Sequence, residues 1–221
     1  MKREYKLGIA ILIAAALWFF MFSPWTGKLV DFWTTMLFAT WGLATLAQYL
    51  NMADGPILVL PEKLKDNILQ LLLGIGLAFI LWGVFWVGDK LSQLMFDFAR
   101  PQVNLVYEMK NGHNARAIAL MLLLVIGPCE ELFWRGYVQR NFIKIFKKES
   151  GLFCKENMAF LVTACIYALV HIWSFNFMLV MASLVAGLFW GLLYRIRPSW
   201  LPAIVVSHAV WDTLVFIVLP I

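Results

Sequence analysis

Charge is what this sequence has least of. Only 14% of its 221 residues are Asp, Glu, Lys or Arg, against 62% hydrophobic residues, and the mean hydropathy is +0.80. That much apolar surface excludes a soluble globule and calls for lipid as the solvent. The short alternating segments of a membrane barrel are also missing. Cysteine is scarce and odd in number: Cys129, Cys154 and Cys165 show no framework spacing, and Cys129 and Cys165 fall in apolar runs. A structural disulfide is therefore not expected. No CxxC or CxxH pair and no HExxH occurs, which argues against a structural zinc site and the commonest catalytic one. The formal charge of +5 is no sign of nucleic acid, because the basic residues cluster between the apolar runs. There is no repeat and no low-complexity segment, so residues 1–221 read as one integral membrane domain.

What is present is a series of apolar runs near the ~20 residues that span a bilayer. Leu7 to Phe22 follows Lys2, Arg3 and Lys6. It reads as a retained span, because SPWTGK after it lacks a small-x-small cleavage site and its core holds Trp18, Phe19 and Phe20. Leu29 to Leu50 is the second span, with Trp25 and Trp33 as interfacial anchors. A polar loop with Gly55, Pro56 and Pro61 precedes the third, Ile68 to Val87. The fourth starts near Ala115, and Met158 to Trp173, Phe177 to Tyr194 and Trp200 to Leu219 supply the rest. Between spans three and four, Leu91, Leu94, Met95 and Phe98 recur at helical spacing among polar residues. Within the segment Asp89 to Met109 that pattern predicts an amphipathic helix ended by Pro101, lying either on the membrane or packed on the bundle. Ala182, Ala186, Gly187 and Gly191 give the sixth span a small-residue face for close packing. The fold class is all-α: a polytopic transmembrane helical bundle of about seven spans plus an amphipathic surface helix. Residues 1–114 form the leading spans and 115–219 the chemical core.

Lys and Arg are unevenly distributed. One set of loops holds Lys2, Arg3, Lys6, Lys63, Lys65, Arg140, Lys144, Lys147, Lys148, Lys155, Arg195 and Arg197; the other holds only Lys28, Lys90, Arg100, Lys110 and Arg116. The positive-inside rule then puts the N-terminus in the cytoplasm. Short length, compact loops and no targeting segment suggest a prokaryotic plasma membrane.

The chemistry gathers late in the chain. GPCEELFWRGYVQR, residues 127–140, carries adjacent carboxylates Glu130 and Glu131 with Arg135 four residues on. An ionisable group in the bilayer is costly, about 3 kcal/mol on translocon scales. On a helix Glu131 and Arg135 meet at i and i+4, while Glu130 points ~100° away and is left free for chemistry. Cys129 beside it reads as packing. His171 closes YALVH on the fifth span, and His208 and Asp212 in HAVWD share a face of the last. Singly, each has a structural reading, a hydrogen bond or an ion pair between helices. Jointly they need one cavity. Glu130 and His208 fall ~13 and ~12 Å from the lysine-rich ends of their helices, and His171 ~20 Å, which predicts a site nearer that face. A carboxylate beside a histidine can deprotonate a water, and a second histidine can stabilise an oxyanion, as in peptide-bond hydrolysis without a covalent intermediate. The same Glu130, His171 and His208 could instead hold zinc.

EELFWR resembles the EExxxR motif of the CAAX-protease and bacteriocin-processing family of intramembrane endopeptidases. YALVH is similar to its FxxxH motif, with Tyr167 as the aromatic, and HAVWD to its HxxxN or HxxxD motif. The three occur in family order over roughly residues 115 to 219. The resemblance implies that Glu130 and His171 activate water, that His208 and Asp212 form the oxyanion side, and that Glu131 and Arg135 brace the site, with no cofactor required and zinc as an option. Asp212 departs from the Asn common in prenyl-protein endopeptidases: it either orients His208 or donates while protonated. The implied partners are a peptide or protein substrate, lipidated or a sorting tail, and the bilayer. A proton-coupled transporter and a non-catalytic immunity or scaffold protein are the competing readings, the first weakened by the lack of repeated halves.

Overall fold

Three of the helices begin where a short polar side chain caps them. Asp31 accepts from the Thr34 amide (2.8 Å), Asn114 from the Arg116 amide (2.9 Å) and Asn176 from the Leu179 amide (2.9 Å), each satisfying donors that a helix start leaves free. The computed structural model describes residues 2–221. It contains α1 (Arg3–Phe22), α2 (Phe32–Leu50), α3 (Leu64–Met95), α4 (Ala99–Glu108), α5 (Ala115–Ile145), α6 (Lys155–Leu169), α7 (Phe177–Ile196) and α8 (Pro198–Val218), with no strand among the described residues. Six are long and apolar enough to cross a membrane: α1, α3, α5, α6 with the turn to Ser174, α7 and α8. At 19 residues α2 is ~28 Å long, near spanning length. Thr34, Thr35, Thr40, Thr45 and Gln48 make it less apolar.

The segment after the third span differs from its expected form. Helix α3 runs on through Asp89 to Met95, 32 residues in all, ~48 Å and longer than the ~30 Å hydrocarbon layer. The chain then breaks at Phe96 to Phe98. Pro101 sits in the first turn of α4 instead of ending a helix, a place where its missing N–H costs nothing. Helix α4 is packed on the bundle. Asn176 Nδ2 donates to the Gln102 carbonyl (2.7 Å), and the Ile221 amide donates to the Tyr107 hydroxyl (3.0 Å). Buried Asp89 ties the two helices, accepting from Gln93 Nε2 (2.6 Å), Lys90 Nζ (3.2 Å) and Arg100 Nη1 (3.4 Å). Trp33 is likewise not an interfacial anchor. It is buried, and its indole donates to the Met109 carbonyl at 2.8 Å, whereas Trp25 is exposed.

Helix α5 lies at the centre, with α2, α6, α7 and α8 against it. Two stretches of wider, π-type turns, Leu122–Ile126 and Leu132–Gln139, flank its short regular segment Gly127–Glu131. Such turns recur at functional sites. Close approach rests on glycine. A Cβ at Gly127 would lie 2.8 Å from Ala209 Cα, and one at Gly74 2.5 Å from the Ala203 carbonyl oxygen, so α5 and α3 both touch the backbone of α8. The small face of α7 meets α6 as anticipated: a Cβ at Gly187 would sit 3.1 Å from Tyr167 and 3.4 Å from Ala164.

Gly127→Ala is expected to push α8 off α5, because the obstructing atoms are backbone and cannot turn aside. The loss should be about 1–3 kcal/mol, read as a lower melting temperature in detergent. Gly76→Ala, with open space around its Cβ, should not destabilise.

Candidate active site

Glu131 is fully buried on α5 and meets two cationic partners. Arg135 Nη1 donates to its Oε1 at 2.8 Å, and His208 Nδ1 lies 2.6 Å from the same oxygen. The other ring nitrogen of His208 faces Asp212 Oδ2 at 3.4 Å. Carboxylates accept, so the imidazole donates from both nitrogens, as an imidazolium does. Arg135 Nη2 also reaches the Gly187 carbonyl (3.2 Å), where the absent side chain opens the way. The guanidinium lies against the rings of Tyr167 and Trp190, 4.9 and 5.6 Å from their centroids. Trp190 stacks on His208 with centroids 3.9 Å apart and is fixed by its indole bond to Ser207 Oγ (3.1 Å). Glu131, Arg135, His208 and Asp212 thus form a buried network of matched charges.

Glu130 faces elsewhere, as one residue's rotation along a helix requires. Its Oε2 accepts from the Tyr167 hydroxyl at 2.9 Å. No cation pairs with it among the described residues, and it lines a cavity of about 570 Å³ together with Tyr167, His171, His208 and Asp212. Glu131 and Arg135 are not part of that wall.

His171 sits just past the end of α6. There the backbone tightens, His171 N–H bonding to the Ala168 carbonyl, so the Tyr167 carbonyl is released and takes His171 Nδ1 at 2.8 Å. The indole of Trp18, fully buried on α1, donates to His171 Nε2 at 3.1 Å. A carbonyl only accepts and an indole only donates, so the ring is neutral with its proton on Nδ1. No hydrogen bond joins Glu130 to His171 among the described residues.

All six residues expected from the sequence therefore come together on α5, α8 and the end of α6. They do not fit zinc as arranged. Both nitrogens of His208 face carboxylates, both of His171 are taken, and no group of three or more His, Cys, Asp or Glu among the described residues is set to hold a metal. Trp18 and Trp190 were not anticipated. Trp18 looks like any aromatic of a first span, although the glycines around Trp190 signalled close approach. The cavity also opens away from the lysine-rich face. Its walls are the last turns of α1 and α3, the first turns of α2 and α7, and α4, opposite to the expected face.

Residues 112–214 match the family described as Rce1-like, type II CAAX prenyl endopeptidase. Over that stretch the chain is similar to the CAAX-protease family. That similarity supports an intramembrane CAAX-type endopeptidase in general. No curated protein and no solved structure matches the chain. The family segment holds Glu130, Glu131, Arg135, His171, His208 and Asp212, while Trp18 and the α3 and α4 walls of the cavity lie outside it.

Glu131→Gln should cost about 3–5 kcal/mol, since it strands two buried cations. Glu130→Gln strands none and keeps an acceptor for Tyr167, so its cost should stay near 1 kcal/mol. Thermal unfolding of the two variants in one detergent tests the contrast.

Proposed function

We propose that the chain hydrolyses a peptide bond in an apolar or lipid-linked peptide, with Glu130 as the base that holds and deprotonates the attacking water. The observation that carries this reading is that Glu130 alone among the three clustered carboxylates has no cationic partner and faces the cavity. Glu131 and Asp212 are already committed to Arg135 and His208. Glu130 takes a proton from water, the resulting hydroxide adds to the scissile carbonyl carbon, and the C–N bond breaks as Glu130 passes the proton to the leaving amine. His208 stands on the oxyanion side. Its Nε2–H to Asp212, at 3.4 Å, is long for a charge-assisted bond, so it can turn to the substrate oxygen as charge develops. Asp212 then orients His208 and does not itself donate. Glu131 and Arg135 hold the ring from behind.

His171 joins Glu130 only when Trp18 gives up its Nε2 lone pair, which can then accept from the water. The resident indole keeps that nitrogen satisfied until substrate and water enter. The reading requires no metal. The lysine-rich loops are placed in the cytoplasm with the N-terminus.

Purified protein challenged with a peptide library tests the proposal. Glu130→Gln is expected to slow cleavage by about 10²–10⁴-fold while the protein stays folded. Chelator should leave the wild-type rate unchanged. Trp18→Phe, which keeps the packing but frees Nε2, should cleave at least as fast as the parent. A folded Glu130→Gln at full rate defeats the assignment, and loss on chelation restored by zinc replaces it with a metal mechanism.

A further inference from the structure

Among the described residues, Tyr167 alone hydrogen-bonds to both groups that face the attacking water. Its hydroxyl donates to Glu130 Oε2 at 2.9 Å, and its main-chain carbonyl accepts from His171 Nδ1 at 2.8 Å. It lines the cavity beside both of them.

The phenol is clamped. Tyr167 is 5% exposed. Buried Trp134 packs across its ring with centroids 5.3 Å apart, and the Arg135 guanidinium lies 4.9 Å from its centroid. On the α7 side, a Cβ at Gly187 would sit 3.1 Å from Tyr167 Cδ1. A ring packed this closely keeps one χ1 rotamer. A phenolic oxygen also lies on the axis of its ring, so ring flips do not move it. The hydroxyl stays at one point beside Glu130.

A fixed donor on one side makes the two oxygens of a carboxylate unequal. While Glu130 is ionised, Oε2 takes the phenol hydrogen and Oε1 is left for water. When Glu130 has taken the proton of that water, two placements are open to it. A proton on Oε2 would drive the phenol hydrogen away from its only acceptor among the described residues. A proton on Oε1 leaves Oε2 as a carbonyl oxygen, which still accepts from Tyr167. Base and acid forms of Glu130 thus share one geometry. Oε1 takes the proton from water and returns it to the leaving amine, and Tyr167 keeps its own proton throughout.

We propose that Tyr167 is a positioning residue of the hydrolytic site. Its side chain commits Glu130 Oε2 and its main chain commits His171 Nδ1. Glu130 Oε1 and His171 Nε2 are left as the pair of acceptors for the attacking water. The proposal rests on Glu130 as the base.

Tyr167→Phe keeps the ring and the main-chain carbonyl and removes only the donor. On a peptide that the parent cleaves, kcat is expected to fall about 10–100-fold, as for a misplaced base, with KM unchanged within about twofold. A packing role would leave kcat untouched in this variant, and a contact with substrate would raise KM instead. Either result overturns the proposal. Added to Glu130→Gln, Tyr167→Phe should cost no further rate, because no base remains to be oriented. A second loss of the same size there also overturns it. The bond itself is read without cleavage. Tyr167→Phe should lower the melting temperature in detergent in the parent but not in Glu130→Leu, where the hydroxyl has no acceptor to lose. An equal lowering in both backgrounds overturns the proposal. Failure of the protease reading is distinct: Glu130→Gln then cleaves at the parental rate, whatever Tyr167→Phe does.

Discussion

A carboxylate with no exposed atom holds this protein's second half together. Glu131 could not be carried into a low-dielectric interior alone, where an isolated ion costs several kcal/mol even after relaxation. Arg135 and His208 approach it from its own helix and from α8, and Asp212 balances the second cation. Each further contact serves that arrangement. Gly187 lets the guanidinium reach a carbonyl of α7, Trp190 lies flat on the imidazole, and Gly127 brings α8 against α5. Matched charge settles which helices must meet and at what height. Apolar packing, which in lipid gains nothing from excluding water, fills in around it.

The same constraint explains why the site was legible. Polar residues are expensive in an apolar sequence, so Glu130, Glu131, Arg135, His171, His208 and Asp212 stood out by type alone, and helical spacing separated the two glutamates. The helix class could also be read, and the starts of α5 at Ala115 and α7 at Phe177 fell where the apolar runs begin. What the pattern could not carry was contact between distant segments. Trp18 is one of eleven tryptophans, and nothing local marks it as the donor to His171. Trp33 looked interfacial because it sits beside a span end, but its indole is claimed by the Met109 carbonyl. The continuation of α3 past Asp89 was hidden because the charged residues that begin there read as a separate amphipathic helix. There the helix has outgrown the bilayer, and Asp89 finds its partners on α4. The direction of the cavity was misjudged because distance from helix ends says nothing about which end is packed shut.

His171 shows how a helix terminus can set a protonation pattern. A ring of this kind has two neutral tautomers, and an undisturbed helix would leave the choice open. Here the tightened last turn of α6 frees one carbonyl at the place where Nδ1 can donate to it, so Nε2 is left as the acceptor. The chemical polarity of the imidazole follows from backbone geometry two atoms away.

Trp18 lies nearly a hundred residues before the segment shared with the family. A transplant of residues 112–214 behind other leading helices would bring every acidic and basic group of the site, yet leave one imidazole nitrogen without its resident indole and the cavity without its α3 and α4 walls. The portion that sequence comparison recognises is therefore smaller than the portion that could be inherited, swapped or redesigned as a working whole.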